Sequence, residues 1–377
     1  MNSLIKNLEN LEQLDKIKAN YKINSPIYLH GLSEGIKAHL VLSLFNRLDK
    51  NLVLIAEDEK RANDYINSIN NLEEIAYLYP SYDINFYNIK SLNEDKSFLR
   101  MEVLIKQKNK EKFITVTTLS ALRNKLTPLN QFNSSFVKIT GEDVVDIDDL
   151  IGKLTSLNYN ANSLVEKKGE YAKRGSIIDF WPSEYEHPIR IELFDDEVDS
   201  IRFFNEKNQR TIEKINEVII SPISELIYDN DDLYKVVEFI DKDINKLSKN
   251  KKNSNDQKLI DKYKQILSFV KERVYVANWD LINSYRNDNY ADFIDYISKD
   301  TLFILDDISR IYENEIEIDR KLFDDVTYQR EKGEIFNSFS DLLIKKEIIY
   351  EQLENYPIIN LMSILKRSKL FNPKLLL

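Results

Sequence analysis

The 377-residue sequence contains no cysteine and three histidines, and each shortage excludes a class of site. Without cysteine there can be no disulfide, no thiolate nucleophile and no cysteine-ligated metal. His30, His39 and His187 are scattered, and none has a histidine or carboxylate partner at a metal-ligand spacing such as HExxH. We therefore predict no metal site.

The sequence also lacks long apolar runs and an excess of basic residues. No apolar run approaches the roughly 20 residues that cross a bilayer, and residues 1–19 have the leucine spacing of an amphipathic helix, not of a signal peptide. The formal net charge is −10, which argues against a surface that neutralises nucleic-acid phosphates. We expect a cytoplasmic protein with no membrane contact and with another protein as its partner.

The order of apolar runs predicts an α/β fold. Residues 27–30, 52–56, 75–79 and 113–117 have the pattern of buried strands, and amphipathic helical stretches lie between them. Strands that alternate with helices predict a parallel sheet with right-handed connections. A further buried strand is predicted at residues 301–305, and we assign it to the same sheet.

Four segments make up the predicted domain organisation. Residues 1–130 form the first part of an α/β domain of the nucleotide-binding type, and residues 131–222, whose strands are closely spaced, form an inserted α+β domain. Residues 223–345 form the mostly helical return part. Residues 346–377, which end on three leucines, are predicted to be a linker or the start of a further domain, so that the chain belongs to a longer protein.

A degenerate phosphate loop is predicted at residues 31–38, which read GLSEGIKA between the first strand and the first helix. A working loop has four residues between its glycines, then lysine and a hydroxyl residue. Here three residues intervene, Ile36 follows the second glycine, and Ala38 has no hydroxyl. The residues of this degenerate site are Gly31, Gly35, Lys37 and Ala38 in the loop, and Asp306 and Asp307 at the end of the would-be magnesium strand. We predict no catalytic residue, no cofactor and no bound ATP.

A binding face is predicted on the strand PIRIELF at residues 188–194. Because side chains alternate, its isoleucines and leucine face the core while Arg190, Glu192 and Phe194 face the other way. An arginine beside an exposed aromatic is typical of protein-binding hot spots. The alternative is an ordinary half-exposed strand with an incidental phenylalanine.

The preceding segment, GEYAKRGSIIDFWP at residues 169–182, leads into another predicted strand. If side chains alternate along this segment without a bulge, Arg174 lies on the same side as Ser176 and Ile178.

Three segments carry a resemblance to a known family: residues 169–182, PIRIELFDDEVDSIRFF at residues 188–204, and NQRT at residues 208–211. They closely resemble the inserted domain of the bacterial transcription-repair coupling factors (Mfd), which is shared in form with the excision-repair protein UvrB. Less specific motifs, such as LYPSYD at residues 78–83 and FILDDISRI at residues 303–311, extend the resemblance over most of the chain.

The resemblance implies that the inserted domain binds UvrA and that the contact residues of the motif fall on Arg174, Arg190 and Phe194. It implies that family proteins continue into a domain that binds RNA polymerase and into an ATP-driven double-stranded-DNA translocase, whose motor motifs this chain lacks. It also implies an intramolecular contact in which the missing C-terminal part covers the docking surface. We expect that replacing the three contact residues leaves the fold intact. Glu170, Asp179 and Asp195 are expected to fix turns.

Two departures favour the coupling factors over UvrB. The phosphate loop is degenerate, and only residues 80–100, with Tyr82, Phe86 and Tyr87, lie where the long aromatic hairpin of UvrB would begin. The predicted function is a non-enzymatic UvrB-like module that brings UvrA to RNA polymerase stalled at DNA damage. One alternative is a divergent UvrB-like ATPase that acts on damaged DNA. Another is a scaffold that only packs against the missing motor.

Overall fold

A computed structural model describes residues 12–23, 25–82, 92–228, 230–249, 254–271, 289–335, 343–363 and 375–376. The strands are β1 Ile27–Leu29, β2 Leu52–Ala56, β3 Ala76–Tyr79, β4 Ile114–Thr118, β5 Val137–Thr140, β6 Asn160–Ala161, β7 Glu170–Arg174, β8 Ile177–Phe180, β9 Ile189–Phe194, β10 Glu197–Phe204, β11 Thr211–Ile215, β12 Glu217–Ile220, β13 Leu302–Asp306, β14 Ile358–Leu361 and β15 Leu375–Leu376. The α-helices are α1 Glu12–Asn20, α2 Glu34–Leu48, α3 Glu59–Asn70, α4 Leu92–Lys108, α5 Leu119–Leu122, α6 Leu129–Ser134, α7 Ile147–Ser156, α8 Asn230–Lys249, α9 Ser254–Lys271, α10 Ile308–Glu331 and α11 Lys346–Leu353. Among these helices, none is both long and apolar enough to cross a membrane.

The larger unit is a parallel sheet in the order β15-β1-β14-β13-β2-β4-β3. Successive residues of β2 and β13 supply the two apolar layers on either side of the sheet, so both strands are buried on both faces. The predicted α/β sheet is confirmed, including the position of β13, whose Leu302 pairs with Leu52 of β2.

The C-terminal segment differs from its prediction. Strand β14 lies inside the sheet between β1 and β13, with all four residues buried, so residues 346–377 are not simply a linker or the start of another domain. The sequence did not reveal this strand because Asn360 interrupts its apolar run, IINL.

The smaller unit contains a second sheet in the order β11-β10-β9-β8-β7-β6, with antiparallel pairing from β7 to β11. We call its two surfaces the inner face and the outer face. The inner face carries residues such as Ile178, Ile191 and Leu193, and packs with α7 and with the β5–β12 pair. The outer face carries the residues that alternate with these.

The two units are joined by buried contacts with α4. Phe98 packs against the core of the smaller unit, and the Ser97 hydroxyl donates a hydrogen bond to the Ile223 carbonyl at 3.1 Å. One turn further along, the fully buried Arg100 forms an ion pair with the fully buried Glu225, which follows β12. The smaller sheet is therefore anchored to the larger one through the chain that leaves it.

Candidate docking face and the phosphate-loop position

The hairpin of β7 and β8 determines the direction in which Arg174 points. Gly175, with φ of +61°, and Ser176 form a two-residue turn, so Arg174 pairs with Ile177. The predicted parity is therefore wrong, because Ile178 lies in the core while Arg174 lies on the outer face with Ile177. A Gly-Ser dipeptide between two strand-like runs is a hairpin signal that the sequence did contain.

The register of the sheet brings the three predicted docking residues onto one face. Asp179 of β8 lies opposite Arg190 of β9, and Arg174 and Arg190 each alternate with residues of the core face. Phe194 follows Arg190 by four residues and therefore shares its face. Two strand spacings separate Arg174 from β9, roughly 10 Å across the sheet. The outer face therefore presents Arg174, Arg190 and Phe194 together.

Phe194 is the most exposed of the large apolar side chains on this sheet, at 78%. It ends β9 immediately before a tight turn in which Asp195 has a φ of +61°. The ring therefore projects from the end of the hairpin without support from the core. Burying such a ring in a partner would remove a large apolar area from water.

Arg190, in contrast, is engaged within the sheet. Its Nε and Nη2 donate hydrogen bonds to the two carboxylate oxygens of Asp179 at 2.6 and 2.7 Å, and Nη2 also donates to Gln209 at 2.8 Å. Its guanidinium lies 4.3 Å from the ring centroid of Phe204. The hydrogen bonds with Asp179 raise the pKa of Arg190, which is already high. These contacts argue against the expectation that Arg190 can be removed without affecting the fold.

Arg174 is exposed and makes one hydrogen bond in the described chain, from Nη2 to the Ser163 carbonyl at 3.0 Å. Its guanidinium can therefore accept further partners. Among the carboxylates expected to fix turns, Glu170 does so by accepting hydrogen bonds from the Glu166 and Lys167 amides. Asp179 instead neutralises Arg190, as described above.

The phosphate-loop position is occupied by a network of ion pairs. The buried Lys37 ammonium donates hydrogen bonds to Asp306 at 2.7 Å and to Glu34 at 2.9 Å. Arg61 donates to the other oxygen of Asp306 at 2.8 Å and also pairs with Glu34. The Ser363 hydroxyl donates to Glu34 at 2.8 Å. The lysine that would contact phosphate and the carboxylate that would hold magnesium therefore neutralise each other.

The pKa values in this network follow from these contacts. Burial alone would raise the pKa of Glu34, but hydrogen bonds from Lys37 and Ser363 hold it below its usual value. Burial would lower the pKa of Arg61, but the hydrogen bond to Asp306 and the nearby charges of Asp306 and Glu34 together raise it. Asp307, with a φ of +63°, caps α10 by accepting a hydrogen bond from the Ser309 amide at 3.2 Å. Sequence reasoning missed Arg61, which carries no motif.

Magnesium ATP is expected to show no saturable binding up to about 1 mM, a limit that corresponds to a binding free energy of roughly −4 kcal/mol. The reason is that a phosphate would have to displace Asp306 from Lys37, a buried and hydrogen-bonded pair. Isothermal titration calorimetry measures this, with UvrB as the positive control for the assay. Saturation at lower concentration would show that the network opens for nucleotide.

The region where a UvrB-type hairpin would begin is described only in part. The Tyr82 hydroxyl donates a hydrogen bond to Glu225 at 2.8 Å and so belongs to the junction between the two units. Phe86 and Tyr87 lie outside the described residues.

Comparison with known proteins identifies the smaller unit and relatives of the whole chain. A family model described as UvrB interaction domain matches residues 137–226. The transcription-repair-coupling factor of Bacillus subtilis (strain 168) is 31% identical over 334 residues, which cover 86% of this chain and 28% of that protein. The proteins of the same description from Staphylococcus haemolyticus and Staphylococcus aureus (strain MRSA252) are 26% and 28% identical over 94% and 87% of this chain.

The chain spans between 28% and 30% of the length of these three relatives. The matches nevertheless extend over both units of the fold, and the family model covers the sheet that carries Arg174, Arg190 and Phe194. This chain is therefore a UvrB-like region related to the N-terminal part of the transcription-repair coupling factors, and it contains a UvrB interaction domain.

Proposed function

We propose that this chain is the module through which a transcription-repair coupling factor docks UvrA, and so recruits excision repair to RNA polymerase stalled at DNA damage. The observation that carries the proposal is Phe194, exposed at the end of a hairpin on the same face as Arg174 and Arg190. Aromatic and arginine side chains are enriched in interface hot spots. A family model named for interaction matches the same sheet.

Under this proposal, the other partners of the coupling factors are bound by parts of those proteins that this chain does not span. RNA polymerase and duplex DNA would be bound, and ATP-driven translocation performed, by regions of the longer relatives that this chain does not span. The ion pairs of Lys37 and Arg61 with Asp306 support a non-enzymatic role for this chain over the alternative of a UvrB-like ATPase.

Replacing Phe194 by alanine is expected to weaken UvrA binding by about 2 kcal/mol, a loss of roughly thirtyfold in Kd, because an exposed ring contributes nothing to the fold but much to an interface. The matched control is Phe323→Ala on α10, where the ring is 69% exposed on the other unit. Surface-immobilised UvrA and the purified chain give the two Kd values directly.

Both variants are expected to have the melting temperature of the wild type. If Phe194→Ala binds UvrA as tightly as Phe323→Ala does, the outer face is not the docking surface. If the wild-type chain binds magnesium ATP and damaged DNA but not UvrA, the ATPase alternative replaces the proposal.

A further inference from the structure

A second exposed apolar side chain lies beside Phe194. Val144 forms an isolated antiparallel bridge with Glu197, and Glu197 pairs in turn with Phe194 across the β9–β10 hairpin. The bridge is made by two hydrogen bonds, from the Val145 amide to Asp196 at 2.7 Å and from the Val198 amide to Asp143 at 3.1 Å. Paired residues of antiparallel strands point to the same side, so these three side chains form one row on the outer face.

Val144 is 67% exposed, whereas Val145 and Ile147 pack against the core. Two cross-strand spacings place it roughly 10 Å from Phe194. The hydrogen bonds on both sides fix the backbone of Val144, so its position relative to Phe194 is set by the sheet. Two apolar groups held at a fixed distance form a more specific recognition element than one exposed ring.

Acidic residues surround this row. Asp195, Asp196 and Glu197 are exposed at the hairpin, and no cation of the described chain forms an ion pair with any of them. Glu142 and Asp199 are exposed nearby in sequence. Uncompensated carboxylates next to apolar side chains repel nucleic acid and favour a partner that brings positive charge.

We infer that the docking face extends from Phe194 to Val144 and fits a protein surface with an apolar recess bordered by lysine and arginine. This inference rests on the proposed function and specifies the part of UvrA that meets the hairpin. The Phe194 ring and the Val144 methyl groups enter the recess, and the carboxylates of the hairpin contact its basic border.

The test measures UvrA binding by Val144→Ser and Glu197→Lys. Each variant has a matched control on α10: Ile316→Ser, at a side chain that is 47% exposed, and Glu313→Lys, at an exposed carboxylate. Val144→Ser is expected to weaken binding about fivefold through lost apolar burial. Glu197→Lys is expected to weaken it about tenfold through like-charge repulsion with the basic border. Both α10 controls should bind as the wild type does.

A salt series adds an independent readout. Between about 0.1 and 1 M salt the screening length falls from roughly 10 to 3 Å, so wild-type binding should weaken, and the deficit of Glu197→Lys should shrink. If the wild type and Phe194→Ala behave as proposed but Val144→Ser matches Ile316→Ser, the extension to Val144 is wrong. If Glu197→Lys binds as well as or better than Glu313→Lys, the basic border is wrong. Absence of UvrA binding by the wild type overturns the proposed function itself.

Discussion

Replacing Arg100 by methionine is expected to lower the free energy of unfolding by about 4 kcal/mol. Arg100 and Glu225 are both fully buried, so the variant leaves a carboxylate in the interior without a counterion. The guanidinium also donates hydrogen bonds to the Pro80 carbonyl at 2.7 Å and to the Tyr79 hydroxyl at 2.6 Å, and it lies 4.0 Å from the Tyr79 ring centroid. Burial alone would lower the pKa of Arg100, but the charge and hydrogen bond of Glu225, together with the neighbouring Tyr79 and Tyr82, raise it.

Denaturant unfolding followed by tryptophan fluorescence and circular dichroism measures the change. The control is Arg310→Met, which removes an exposed pair with Glu57 at 3.4 Å and should cost less than about 1 kcal/mol. The double variant Arg100→Met/Glu225→Leu should recover much of the loss, because no charge is then buried alone. If Arg100→Met and Arg310→Met are equally stable, the buried Arg100–Glu225 pair does not stabilise the fold as predicted.

The Arg100–Glu225 pair joins the two units of the fold. Arg100 lies on α4 of the larger unit, and Glu225 lies on the chain that leaves the smaller one. Removing the pair therefore removes one of the buried contacts that hold the two units together.

Much of the larger sheet could be predicted because its strands are continuous apolar runs. Strands β2 and β13 each show five buried residues, which indicate a parallel strand covered on both faces. Strand β14 could not be predicted in the same way, because Asn360 interrupts its apolar run. The buried Asn360 side chain accepts a hydrogen bond from the Ile308 amide at 3.0 Å, a contact that only the folded chain creates.

The candidate docking face could be predicted where its residues lie on a single strand. Alternation along β9 places Arg190 and Phe194 on one face, since local periodicity does not depend on the rest of the fold. The face on which Arg174 lies could be predicted only by recognising the two-residue turn at Gly175 and Ser176. Arg61 contacts Asp306 over 245 residues of sequence, and Val144 reaches the row through a bridge outside the regular strands. Neither contact follows from a local pattern.

Replacing Arg190 by alanine is expected to lower the free energy of unfolding by about 3 kcal/mol, in addition to weakening UvrA binding. The Arg190 side chain is 15% exposed and the Asp179 side chain 2%, so the variant removes the counterion of a carboxylate that is buried in the wild type. Arg174→Ala on the same face should cost less than about 1 kcal/mol, because that side chain is exposed. Denaturant unfolding of the two variants in parallel measures the difference.

The double variant Arg190→Ala/Asp179→Asn separates the two roles of Arg190. Removing the charge of Asp179 should restore part of the stability, since an amide is far less costly to bury than an unpaired carboxylate. If UvrA binding stays weak in this variant, the Arg190 guanidinium itself contacts the partner. If binding returns with stability, Arg190 acts by keeping the outer face in shape, and Phe194 and Arg174 make the contact. An Arg190→Ala protein as stable as Arg174→Ala would show that the Asp179 pair contributes little to the fold.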